Sequence, residues 1–234
     1  MKKLFLLLTC LLAVTAVSAQ SLEEIVKKYS KANMLDKVGS LKTIKITGSM
    51  DMMGQAIPVE IWMKNPDKVK SVTSINGQEI IQAFDGVKGY SINPMMGSSE
   101  PVEMSAEDTK QIQRSNMFQN IMLNYLKNGQ LTLEGEESVN GNPAHKVKAI
   151  LDGGMSMNMF IDKSSNLLLK TSITVNNQGM EMVVDSYPSD YKEVSGLFIP
   201  MKTTTSVSGM EFVQTYSKVE VDIPMEDSIF ILKK

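Results

Sequence analysis

A chain with one cysteine and one histidine, Cys10 and His145, can assemble neither a disulfide framework nor a zinc site of familiar composition. A Ser-His-Asp triad would have to be built on that single imidazole, and no G-x-S-x-G elbow is present to supply the nucleophile. Gly-rich phosphate loops are absent as well. No basic run follows the first residues, which excludes the usual footprint of a nucleic-acid partner or of binding to an anionic membrane surface. Beyond the first twenty residues, no apolar stretch approaches the ~18 needed to cross a bilayer.

Those first residues form a unit of their own. Lys2 and Lys3 precede an apolar run from Leu4 to Val17, and Val17-Ser18-Ala19 has the small-residue pattern of a cleavage site. This predicts an export signal over residues 1–19, cut after Ala19. Cys10 lies inside the apolar run rather than after it, so lipid anchoring through Cys10 is not expected. The mature chain would carry 22 basic and 26 acidic side chains, a net charge of −4, and no cysteine. Its stability must then come from a core, and residues 20–234 are long enough for one mainly β domain.

What the chain does have is alternation. Apolar residues recur at every second position of short segments, and many of them are methionine. Met155, Met157, Met159 and Ile161 share one strand face, as do Met180, Met182 and Val184, and Ile44, Ile46, Met50 and Met52. Strands are expected at 42–50, 56–64, 68–75, 78–84, 88–92, 130–136, 144–151, 155–162, 167–176, 179–187, 198–207 and 210–221. Asn76-Gly77 and Asp85-Gly86 mark hairpin turns between them. Two segments have helical spacing. Ser21-Leu22-Glu23-Glu24 is a capping box that opens a helix to about Met34, and Ser105 can cap a second one reaching Asn128, with Phe118, Ile121, Met122, Tyr125 and Leu126 on one face. The expected architecture is one large antiparallel sheet, curled and left open, with helices across its concave face.

Methionine is unbranched and polarizable, so a face lined with it suits flexible hydrocarbon, and it equally suits an ordinary core. A Cu(I) site of thioethers is a third reading, opposed by geometry because same-face strand neighbours stand ~7 Å apart. His145 shares the parity of Val147 and Ala149 and reads as a partly buried structural residue. Glu134, Glu136 and Glu137 read as a solvated face, and Asp85 and Asp162 as turn residues bonding their own backbone. Trp62 is out of phase with Ile61 and Met63 and is expected on the convex side, beneath a helix. The helix over 105–128 reads either as core packing or as a movable lid. No constellation argues for an enzyme, and no cofactor is called for.

Several stretches in order resemble a known family. Trp62-Met63-Lys64-Asn65-Pro66, the following strand to Ile75 and the hairpin Ala83 to Pro94 are similar to the LolA/LolB-like carriers of bacterial lipoproteins. Phe160 to Lys163 and Asp190 to Pro200 resemble later hairpins of the same superfamily, particularly its outer-membrane lipoprotein-sorting branch. The resemblance implies a mainly β fold with α-helices: an unclosed antiparallel barrel of about eleven strands, helices covering the concave face, and acyl chains held during transit through the periplasm. Partners would be lipoprotein acyl chains or another lipid, with inner- or outer-membrane release and acceptor proteins. In the proteobacterial carrier the residue before the corner proline is an arginine that ties the lid shut. Asn65 stands there in this chain, and Val69 replaces an aromatic residue. A charged latch at this corner is therefore missing.

The resulting expectation is a periplasmic carrier, the alternative being a lipid-sensing or protein-interaction module of the same fold that does not transport. The groove is expected to be lined by Ile44, Ile46, Ile61, Met63, Met157, Met159, Met180 and Met182 from the sheet, with Phe118, Ile121 and Met122 from the helical cover.

Overall fold

The computed structural model describes residues 20–118, 120–151, 154–177 and 180–233, the side chains of 176, 177 and 180 excepted. The expected export signal lies outside the described residues. Two meanders build the sheet. The first comprises β1 (Thr43–Met52), β2 (Gln55–Lys64), β3 (Lys68–Ile75), β4 (Gln78–Phe84), β5 (Gly89–Asn93) and β6 (Ser98–Glu103). The second comprises β7 (Leu131–Val139), β8 (Asn142–Ile150), β9 (Ser156–Asp162), β10 (Leu168–Asn177), β11 (Met180–Val194), β12 (Leu197–Val207) and β13 (Met210–Val221).

Antiparallel pairing of β1 with β13 joins the meanders into one thirteen-stranded sheet whose edges are β6 and β7. The chain between those edges crosses the open side of the sheet. It carries helices α3 (Ala106–Arg114) and α4 (Ile121–Lys127), while α1 (Leu22–Ala32) and α2 (Leu35–Val38) enter from the other end of the sequence. Among the described residues no helix is long and apolar enough to cross a membrane.

Thirteen strands exceed the expected eleven or twelve because β6 carries no apolar alternation. Its Ser98-Ser99-Glu100-Pro101 start is polar, and a proline is tolerated only where no ladder donor is needed, which is an edge. The first helix ends at Ala32 rather than Met34, where a left-handed Met34 (φ 54°) turns the chain into α2. The expected single helix over 105–128 is two. Between them the Asn116 side chain accepts from Phe118 N at 2.9 Å, and Asn120 Oδ1 accepts from Leu123 N at 3.1 Å to cap α4. Asparagine side chains here supply the bonds a continuous helix would have made.

The β1–β13 junction depends on one glycine. The pairing shifts register between Thr47 and Gly48, and a Cβ at position 48 would lie 2.2 Å from the Thr215 carbonyl oxygen. Only a residue without a side chain lets the two backbones approach that closely.

Burial follows the strand parity, but in two main cores rather than one. One core gathers Ile25 and Val26 of α1, Met122 and Tyr125 of α4, and Val147, Met159 and Ile161 of β8 and β9. The other gathers Val38 of α2, Ile44, Ile46 and Met63 of β1 and β2, Ile112 of α3, Phe118, and Leu197 and Ile199 of β12. On the opposite face, Trp62 lies across the strands from Lys45 and Lys70, whose ammonium groups sit 5.0 and 5.5 Å from its ring. The convex placement of Trp62 is thus as expected, with two lysines rather than a helix flanking it.

His145 is 4% exposed, more buried than expected, with Nε2 3.1 Å from Gln20 Oε1. Burial lowers its pKa, Glu136 raises it in part, and Lys163 and Lys28 lower it further. The unfolded chain therefore binds a proton on His145 more readily than the folded one. This contribution to stability is complete above the unfolded value of about 6.5 and is lost as pH falls from there through the folded value. Thermal melts between pH 7.5 and 5 should show Tm falling with acidification, with a shallower fall in His145→Gln. Identical slopes for the two proteins would refute the assignment.

Candidate functional site

The two cores do not fuse, and an apolar cavity of about 260 Å³ lies between them. Its walls combine Tyr29 of α1, Val38 of α2, Met117, Ile121 and Met122 of the crossing segment, and Leu197 to Pro200 of β12. Tyr29 reports on the surroundings: burial pushes its phenol up to about 12. The volume exceeds the ~150 Å³ of a cavity that admits benzene and falls below the ~300–1,000 Å³ of drug-sized sites. It accommodates a short length of hydrocarbon, and a whole acyl chain would need the crossing segment to move.

The expected lining residues divide accordingly. Ile121 and Met122 line the cavity. Ile44, Ile46, Met63 and Phe118 are buried in the second core, with Ile61 half-buried against it, and Met159 is buried in the first with Met157 half-buried beside it. These side chains fill the concave face instead of leaving a trough along it. Met182 is half-buried and belongs to no core cluster, and the Met180 side chain lies outside the described residues. Val38, Met117, Leu197 and Ile199 were missed. None falls in a methionine stripe, and only their meeting in space marks them.

A second, polar cavity of about 320 Å³ adjoins the first, and the two share Arg114, Asn116 and Ile121 as walls. The acidic candidates take no part in either: Glu134, Glu136 and Glu137 pair with Lys146, Lys148 and Lys163 on an exposed strand surface. Asp162 accepts four bonds from Ser164 and Ser165, and Asp85 two from the backbone of Val87 and Lys88, so both serve their turns as expected. Burial pushes the Asp162 carboxyl up, and those serine bonds outweigh it and hold the group below the usual range.

No known family's sequence profile matches the chain, and no curated protein matches it by sequence. Solved structures match over nearly the whole length. A DUF1329 family protein from Desulfovibrio piger shares 14% identity over 89% of this chain and 99% of its own, with a TM-score of 0.59. A LolA superfamily protein from Nitrosomonas europaea shares 13% over 85% and 96%, at 0.57. A Vibrio parahaemolyticus domain named for outer-membrane lipoprotein sorting shares 11% over 89% and 96%, at 0.61. The fold is LolA-like.

The corner at Asn65-Pro66 is held by neutral ties. Asn65 Nδ2 donates to the carbonyls of Gly39 (3.1 Å) and Leu41 (2.8 Å), which anchors the corner to the segment following α2. Asn116, 2% exposed, donates to the Pro66 carbonyl at 3.0 Å and so holds the crossing segment to the same corner. Asn120 Nδ2 donates to Ser30 Oγ at 3.1 Å, which ties α4 to α1. Neutral bonds of this kind contribute ~0.5–1.5 kcal/mol each, so the polar ties of the crossing segment are small and salt-insensitive beside the burial of Ile112, Phe118 and Met122. Val69 is buried in the second core.

Proposed function

We propose that the protein is an exported periplasmic carrier that binds an acyl chain, of a lipoprotein or of another lipid, between its two cores beneath the crossing segment, which acts as a lid. The carrying observation is the apolar cavity at the seam of the cores, on a LolA-like half-barrel whose concave side is covered by α1 and α2 together with the crossing segment. Each buried methylene contributes about 0.8 kcal/mol, so a chain that parts the cores gains affinity without charged contacts. Neutral polar ties at Asn116 and Asn120 suit a lid that must open for loading and release. Residues 1–19 serve as the cleaved signal and 20–234 as one carrier domain.

The test is mass spectrometry of the organic extract of protein purified from a bacterial periplasm, followed by incubation with acceptor vesicles. Acyl lipid in the extract that passes to the vesicles supports a carrier. Lipid retained against excess vesicles supports a sensor of the same fold, and an extract without lipid from folded protein refutes acyl binding.

A further inference from the structure

Arg114 is the only arginine in the chain, against 23 lysines, and it stands in the wall shared by the apolar and polar cavities. Its Nη2 donates to Glu107 Oε1 at 3.0 Å, one α3 residue bonding another two turns away. Its Nη1 is buried and has no hydrogen-bond partner among the described residues. Leaving a buried charged donor unpaired is costly, so such a group calls for a partner: a water, an ion or a ligand. The polar cavity beside it is walled by Lys110, Asn116, Asn124, Asn128 and Gln130, with Asp67 as its one acidic residue. Lys110 and Arg114 against Asp67 leave the lining itself at net +1, Glu107 offsetting one charge from outside it, amid amides that can donate to oxygen.

We propose that the polar cavity is the head-group site for the ligand whose chain lies in the seam cavity, and that the ligand is therefore an amphiphile with a compact anionic end, a carboxylate or a phosphate. This rests on the seam cavity being the chain site. Arg114 is placed where head and tail would meet, and its planar fork matches the oxygen geometry of either anion, which a lysine ammonium does not. Glu107 holds one arm of the fork, which leaves Nη1 to meet an anion in the polar cavity. Asn116 then couples the head group to the lid, because the residue at the cavity wall also bonds the Pro66 carbonyl.

Displacement of the neutral dye N-phenyl-1-naphthylamine tests this with four competitors: dodecanoate, dodecyl phosphate, dodecanol and inorganic phosphate. Both chain-bearing anions should displace the dye at concentrations about tenfold or more below that of dodecanol, the scale of one charge-assisted bond. In Arg114→Gln that advantage should shrink to about twofold, and Arg114→Lys should recover only part of it. Lys110→Gln, at an exposed position, should reduce the advantage while leaving the fold intact, so the inference stays testable if Arg114→Gln fails to fold. Equal displacement by dodecanol and dodecanoate, or an advantage that survives both substitutions, would overturn the head-group assignment while leaving chain binding in place. Arg114-dependent binding of inorganic phosphate as tight as that of dodecyl phosphate would overturn it too, in favour of a free-anion site. Failure of the dye and of every chain-bearing competitor to bind would refute the chain site itself.

Discussion

Replacing Phe118 by alanine should lower stability by about 3–5 kcal/mol, the range for removing a buried phenylalanine. Phe118 is 8% exposed and lies in the β1–β2–β12 core, although its neighbours Ile121 and Met122 pack toward the other core and the cavity. With Ile112 it packs the crossing segment against the first meander, and its N–H is already held by Asn116. Alanine leaves the backbone bond intact and removes only the apolar anchor. Urea denaturation should show a lower midpoint at an unchanged slope. A loss under about 1 kcal/mol would mean that the segment is not anchored there. Lys127→Ala, at an exposed position near the end of α4, should stay within about 0.5 kcal/mol and serves as the control.

Gly48→Ala is expected to be at least as damaging as ordinary overpacking, about 3 kcal/mol, since the obstacle to the new Cβ is backbone rather than a movable side chain. The Thr215 carbonyl oxygen at 2.2 Å and Tyr216 Cα at 3.0 Å cannot move aside without parting β1 from β13. Among the described residues that pair is the sole ladder joining the two meanders. For a chain of this length the loss corresponds to a fall in Tm of roughly 6–12 °C. Gly39→Ala, where nothing lies within 4 Å of the new carbon, should change Tm by a degree or two at most. Similar melting of the two variants would show that the close approach at Gly48 is not a constraint on the sheet.

Both residues mark the limits of what periodicity reveals. Strands β3, β4 and β13 fall at the expected residues, because they alternate and Asn76-Gly77, Asp85-Gly86 and Ser208-Gly209 punctuate them. Edge strand β6 was invisible for the opposite reason: an edge buries neither face fully and tolerates Pro101. The stripe from Phe118 to Leu126 has perfect helical spacing, yet Asn116 and Asn120 interrupt it by bonding backbone, so that one stripe serves two cores. Nothing in the spacing distinguishes the two outcomes, since capping asparagines are also common on exposed helix surfaces. Gly48 reads in sequence as an ordinary break in alternation, and its meaning comes from Thr215, more than 160 residues away.

Alternation determined which side chains of each strand turn inward: Ile44, Ile46, Met63, Met159 and Ile161 are all buried, and parity is a property of the backbone that any local stretch carries. The same reasoning reached the open, helix-covered sheet, which follows from many short strands and two amphipathic segments. Tertiary structure alone decided that the inward residues would pack as two cores with a gap between them. It also decided that β12 and α2 would furnish much of that gap and that the single arginine would stand at its mouth. Cavities are differences between surfaces contributed by distant segments, so their size and lining depend on how those segments stack, and no local pattern encodes that.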